Sequence, residues 1–403
     1  MATGARMLLR AQTVRARAHL LLTKAKKGEL THWRYDPAAM PAIADEVAAT
    51  IRAAYPALDI PFHARWRHFV VGGLDRAARY KTDCSPMTGR GAFDLAIVSV
   101  LLDAGAGPLW SYRTADGLTL NRSEGLAIAS LDMFEAGTFS SQADDPCRAD
   151  AAALQALTVA ELERAFQVGP QNPLTGLEGR VGLLNALGRA CAARPDVFAL
   201  CDGPRPGGLF DALLMQATGD KLAAPAILEA VLQNLGPIWP SRITLDGVSL
   251  GDCWRHSGLD DLEEAPGLMP FHKLSQWLAY SLIEPLQWAG LSVGSVNSLT
   301  GLPEYRNGGL FVDGGALTPC DLQTFEQAWA AGDECIVEWR ALTVALLDEL
   351  AGLVRETFGK SETEWPLATI LEGGTWATGR RLARARRPGG APPINITSDG
   401  TVF

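Results

Sequence analysis

The chain has 403 residues, 47% of them hydrophobic and 20% charged, and a net charge of −9 at pH 7. That length allows one large domain or two to three ordinary ones, and the composition is that of a soluble globular protein with a sizeable core. The acidic balance argues against general nucleic-acid binding, which needs a dominant basic face, and no apolar run approaches the roughly 20 residues a membrane helix needs.

Arg6, Arg10, Arg15, Arg17, Lys24, Lys26 and Lys27 precede the first acid, Glu29, as they would in a transit peptide. However, Leu8, Leu9, Val14, Ala18, Leu21 and Leu22 recur at helical spacing, which predicts a folded amphipathic helix with a solvated basic face. A second helix is expected from Met40 to Tyr55. Pro56 and Pro61 then lead into Phe62 to Arg76, where aromatic and basic residues alternate before a Gly-Gly turn. This spacing predicts a strand with Arg65 and Arg67 on one face and Trp66 and His68 on the other. Two arginines on one face either take an anion such as phosphate or pair with surface acids.

Phe93 to Asp103 is nearly all apolar and is closed by Gly105 and Gly107-Pro108, so it reads as either a strand or a buried helix. At a helix C-terminus, Asp103 is a solvated cap or else needs an arginine partner or a raised pKa. Asp116-Gly117 marks a hairpin. Asn121 or Ser123 is then placed to cap a helix over Leu126 to Phe134, whose first turn holds Glu124 as a dipole partner or an acid. Ala151 to Phe166, Leu177 to Ala193, Leu209 to Ala217 and Lys221 to Leu235 read as successive helices with short links, hence an antiparallel bundle.

A second hairpin is expected about Asp246-Gly247. A helix follows from Phe271 to Trp288, kinked by Pro285 and ended at Gly290. His272, Lys273 and Gln276 lie near its start, where a helix N-terminus attracts anions; a core-edge histidine beside a snorkelling lysine is the alternative. The stretch 299–315 sets Glu304, Arg306, Asn307 and Asp313 among one proline and five glycines. It reads as a shaped loop rather than a helix, either a small-molecule site or a tight turn in which Arg306 and Glu304 pair. Helices are expected from Cys320 to Ala331 and from Asp333 to Phe358, the second with Glu338 and Arg340 at its surface. The segment holding Arg380, Arg381, Arg384, Arg386 and Arg387 reads as a solvated tail or as one folded over a phosphate site.

Several motifs fail. Gly290-Leu291-Ser292-Val293-Gly294 spells G-x-S-x-G, but a helix precedes it and an extended run follows, the reverse of a nucleophile elbow. There is no GxxxxGK[ST], GxGxxG or H-E-x-x-H, and the six histidines form no ligand pair at helical spacing. Seven cysteines, Cys84, Cys147, Cys191, Cys201, Cys253, Cys320 and Cys335, are dispersed without a C-x-x-C, which points to mostly buried, reduced thiols in a cytoplasmic compartment. What remains is carboxylate chemistry at an Arg-lined site, with no metal and no cofactor. The expected fold is mainly α, a large helical domain with a few short strands and Gly-rich loops. It spans 1–403 as one domain, divisible into an α+β part (1–150), a helical bundle (151–240) and a C-terminal part (241–403).

The stretches PFHARWRHFVVGGLDR, FDLAIVSVLLDAGAGPLWSY, RSEGLAIASLDMF, MPFHKLSQWLAYSL and LTGLPEYRNGGLFVDGG, with a C-terminus like SDGTVF, resemble the uracil-catabolism protein family across nearly the whole chain. The resemblance implies a place in the ring-opening route of pyrimidine breakdown, where a ribosylurea-type intermediate must release urea. The helical layout is also similar to helical nucleoside N-glycosylases such as the queuosine-salvage proteins, by analogy. The implied reaction is hydrolysis of the N-ribosidic bond of a ribosyl or phosphoribosyl ureide. A carboxylate beside C1 would serve an oxocarbenium-like transition state and a second group would help urea leave. Asp313, Glu304, Asp103 and Glu124 are the candidate acids. Arg67, Arg306 and Lys273 are candidates for a 5′-phosphate and Trp66 or Tyr305 for the sugar, with His68, His272, Gln276 and Asn307 beside them. The rivals are an amide or ureide hydrolase acting on the opened ring and a non-catalytic carrier of an intermediate; self-association into a homo-oligomer stays open.

Overall fold

The computed structural model describes residues 3–81, 86–103, 105–107, 109–199, 203–240 and 242–397. Cys84, Cys201, Pro108 and the C-terminal SDGTVF stretch lie outside them. The fold is mainly α with short two-stranded pairings. Among the described residues, the helices of nine residues or more are, in chain order, α1 (Ala11–Lys26), α2 (Met40–Ala54), α3 (Pro86–Leu101), α4 (Arg122–Glu135), α5 (Leu177–Ala193), α6 (Gly208–Gln216), α7 (Ala224–Leu235), α8 (Lys273–Trp288), α9 (Tyr305–Asp313), α10 (Glu334–Phe358) and α11 (Trp376–Arg386). None of the described helices is long and apolar enough to cross a membrane.

The chain forms two compact units. One comprises Met1–His63, Ser241–Gln276 and Ser295–Ser398; the other is built from Ala64–Pro240 and Trp277–Gly294. In the first, α10 is the central element. It is apolar nearly all round, from Ile336 to Leu347, as a helix enclosed on every side must be. It packs against α1, α2 and α9. The apolar stripe of α1 is buried as its spacing requires, but its basic face is not wholly solvated. Arg15 pairs with Asp348 at 2.8 Å, and Arg17, 5% exposed, donates to the carbonyls of Glu264 and Ala265.

The glycine-rich stretch 299–315 departs from expectation. Tyr305–Asp313 is a helix, not a loop, because Glu304 caps it and Pro303 precedes the cap. Gly308 and Gly314 serve close packing rather than unusual dihedrals: a Cβ on Gly308 would meet the Trp339 ring at 2.6 Å, and one on Gly314 would meet Ile43 at the same distance. Gly379 on α11 lies against the Arg306 carbonyl so closely that any side chain would collide with it. The Arg-rich segment is likewise ordered. Trp376–Arg386 is helical, Arg381 pairs with Glu46, and strand Asn395–Thr397 runs parallel to Ala328–Ala330. That strand, with a short 3-10 turn over Leu322–Phe325 capped by Asp321, replaces the helix expected from Cys320 to Ala331.

In the second unit, Phe93 to Leu101 belongs to α3, which settles the choice between strand and helix. The RWRHF segment is a 3-10 turn over Arg65–Phe69 rather than a strand. In such a turn residues three apart share a face, so Trp66 and Phe69 are buried together; Arg65 is buried as well, and the expected two-faced alternation is lost. Gly72 and Gly73, at φ 61° and 78°, make the hairpin between Val70–Val71 and Leu74–Asp75. Hairpins also form about Asp116-Gly117 in this unit and about Asp246-Gly247 in the first. The run from Ala151 breaks at Thr158, where a Thr158–Glu161 capping box starts a new helix. Asn121 precedes α4 without a side-chain cap bond. Ser292–Gly294 is a strand following α8, so the G-x-S-x-G letters form no elbow.

The packing of α11 on α9 yields a direct test. Gly379→Ala forces these helices apart and is expected to lower stability by about 1–3 kcal/mol, as overpacking does. Gly352→Ala, in α10 with open space around it, should instead raise stability by up to about 1 kcal/mol. Paired thermal melts of the two variants check both signs.

Candidate functional site

Within the first unit, the starts of α8 and α9 are tied together by one buried ion pair. Arg340 of α10 donates from Nη1 and Nη2 to the two carboxylate oxygens of Asp252, each at 2.8 Å. Asp252 also accepts from Trp254 Nε1 at 2.7 Å and from the Lys273 backbone N–H at 3.0 Å, so it caps α8. Burial alone would raise its pKa; the facing guanidinium and these donors hold it well below the usual carboxylate range. The Arg340 guanidinium lies 4.1 Å from the centre of the Phe271 ring, and its Nε reaches the Pro303 carbonyl at 3.4 Å. Pro303 immediately precedes Glu304.

Glu304 accepts the backbone N–H groups of Arg306 (2.7 Å) and Asn307 (2.6 Å). Even so, desolvation raises its pKa above the ordinary glutamate value, against the lowering effect of those N–H groups and of the Lys273 and Arg306 charges. Lys273 opens α8, and one turn later Gln276, fully buried, accepts the Thr300 N–H on Oε1 at 3.3 Å. Its Nε2 has no hydrogen-bond partner, and neither has Arg306 Nε.

The other expected site residues of this unit have partners within it. Asp313 is clamped by Arg387, Nη1 at 2.8 Å and Nη2 at 2.5 Å, with Arg386 at 3.9 Å. Arg306 donates to the Gly390 carbonyl at 2.8 Å and lies over the Tyr305 ring at 4.8 Å. Asn307 bridges the Leu302 carbonyl and the Thr375 hydroxyl. His272 is buried, with φ at 50°, and its Nε2–H donates to the Leu8 carbonyl at 2.8 Å. Desolvation lowers its pKa, which keeps it neutral.

The second unit gathers a separate set. Arg65 is fully buried and donates to Asp103 at 3.0 Å and to the Ser99 hydroxyl at 2.7 Å. Desolvation lowers its pKa, and the charges of Asp103 and Glu124 oppose that shift. Arg67 pairs with Glu284 at 2.7 Å, the His68 ring meets Trp277 edge-on at 5.7 Å, and Trp66 is a core residue bonded to the Ser281 carbonyl. Asp103, Glu124, Arg67, His68 and Trp66 therefore belong to a different unit from Glu304, Lys273, Gln276 and Asp313.

Sequence spacing does not single out Asp252. Glu338 and Arg340 are buried, not at the surface as expected. Glu338 accepts from the Trp33 N–H at 2.7 Å and from His256 Nε2 at 3.1 Å. The signal was present: a helix apolar on every face offers no solvated side for a charge.

Fold and site together define a mainly helical protein with a buried carboxyl–cation centre. A family model described as a protein of unknown function (DUF1688) matches residues 7–403. The protein named urg3 from Schizosaccharomyces pombe is 43% identical over 415 residues, covering 98% of each chain. Uracil catabolism protein 4 from Lachancea kluyveri is 36% identical over 419 residues, covering 93% of each. The chain belongs to this urg3-like uracil catabolism family.

Removing Arg340 tests the central pair. Arg340→Met leaves Asp252 charged and uncompensated and is expected to cost about 3–5 kcal/mol, much of it recovered in Asp252→Asn/Arg340→Met. Because the folded pKa of Asp252 is depressed, its contribution is present above about pH 4 and lost as pH falls further. Denaturant melts across acid pH should show this extra loss in the wild type and not in the double variant.

Proposed function

We propose that the protein acts in uracil catabolism as a hydrolase of the N-ribosidic bond of a ring-opened pyrimidine nucleotide, releasing urea from a ribosylurea-type substrate. The pathway assignment rests on the name of the Lachancea kluyveri relative. What supports the chemistry is the placement of the Glu304 carboxyl, held by the Arg306 and Asn307 N–H groups at the start of α9 with the Lys273 and Arg306 charges nearby, where desolvation raises its pKa. A carboxyl that stays protonated above its ordinary range is a general acid suited to a poor nitrogen leaving group.

In this scheme Glu304 gives its proton to the departing urea nitrogen as the C1–N bond breaks with its electron pair going to urea. Water then bonds to C1 of the oxocarbenium-like sugar and returns its proton to Glu304. Ribosylurea and water become the free sugar and urea, and the carboxyl is restored. Lys273 and Arg306 supply positive charge for a substrate phosphate.

Purified protein incubated with ribosylurea or its 5′-phosphate should release urea and reducing sugar in equal amounts. Ammonia without sugar would support a ureide hydrolase instead, and no turnover of either substrate would contradict the proposal. Glu304→Gln should lower kcat by about 10²–10⁴-fold with the fold retained. The acid form is the active one, so activity should be present below the raised pKa and fall as pH rises through it. Glu304→Gln should lack that alkaline limb.

A further inference from the structure

Gln276 carries a feature that no framework role explains. Its side chain is fully buried, and its amide orientation is fixed from outside the residue. The Thr300 N–H can only donate, so the atom facing it at 3.3 Å must be Oε1. A flipped amide would set donor against donor, so Nε2 is necessarily the other end of the group. That NH₂ has no partner. Buried donors left unpaired are costly, and this one is available to an acceptor from outside the chain. Gln276 lies one turn after Lys273, which interacts electrostatically with Glu304.

We propose that Gln276 is the residue that reads the leaving group: its Nε2–H donates to the carbonyl oxygen of a bound ureido group and thereby selects ureides over guanidines. This rests on the hydrolytic reading above and adds the chemistry of recognition to it. A ureido carbonyl is an acceptor, and as the C1–N bond breaks, negative charge builds on the ureido oxygen, where a fixed donor strengthens its bond. A guanidine places N–H groups where that oxygen would be, so donor faces donor. Sites that hydrogen-bond one group reject the analogue lacking it far more strongly than apolar pockets reject a size change.

The probes are the carbocyclic analogue of ribosylurea, whose C1–N bond resists hydrolysis, and its guanidine counterpart, with binding followed by calorimetry. Wild-type protein should bind the ureide at least about tenfold more tightly than the guanidine. Gln276→Glu keeps an oxygen for the Thr300 N–H and turns the free end into an acceptor, so the order should invert. Gln276→Met, similar in size and neutral, should bind both analogues weakly and about equally, and it serves if the charged variant folds poorly. An unchanged ureide preference in the variants, or no binding of either analogue by the wild type, overturns the proposal. Turnover is read separately: selectivity without urea release removes the hydrolytic reading alone, and urea release without selectivity removes the role of Gln276 alone.

Discussion

A carboxylate and a guanidinium withdrawn from water, Asp252 and Arg340, hold the first unit's candidate site in place. Each ion alone would be very costly to bury, and the pair is tolerated because every carboxylate oxygen has two donors. The consequence is geometric. The backbone carbonyl of Asp252 takes the N–H groups of Phe271 and His272, its side chain caps α8, and its partner reaches the residue before Glu304. Three stretches far apart in sequence are thereby fixed to one another. The left-handed backbone of His272 fits this picture, since such conformations persist where the surroundings over-determine them.

Around that pair the same physics gives two acids opposite characters. Asp252 faces a cation at hydrogen-bond distance and stays ionised. Glu304 has only backbone donors within reach and more distant charges, so loss of water dominates. Asp313 shows a third outcome: Arg387 grips both of its oxygens, which ties α9 to the segment that follows α11.

Much of the helical architecture was legible because apolar residues recur at its period, as in α1, α2, α5 and α10. The Gly-Gly and Asp-Gly pairs marked the hairpins correctly. The failures share a cause: residue type was read without its neighbours in space. Gly308 and Gly314 signalled a loop but serve contact with Trp339 and Ile43. Glu338 and Arg340 signalled solvent but have buried partners from residues 33 and 252, which no local spacing can reveal. RWRHF alternates like a strand, yet its 3-10 turn buries neighbours that alternation would have separated. Of the candidate site, sequence singles out the stretch containing Glu304 and the start of α8, while the ion pair that joins them depends on tertiary contacts alone.

The central claim is that burial keeps the Glu304 carboxyl protonated beyond the range of an ordinary glutamate despite two nearby cations. The most direct measurement is an isotope-edited NMR titration of that single carboxyl carbon in the intact protein, assigned by its loss in Glu304→Gln. A midpoint clearly above about 4.3, the value of a solvated glutamate, is the required result. A midpoint at or below that value would mean that Lys273, Arg306 and the backbone donors outweigh desolvation, and the acid at the heart of the account would not exist.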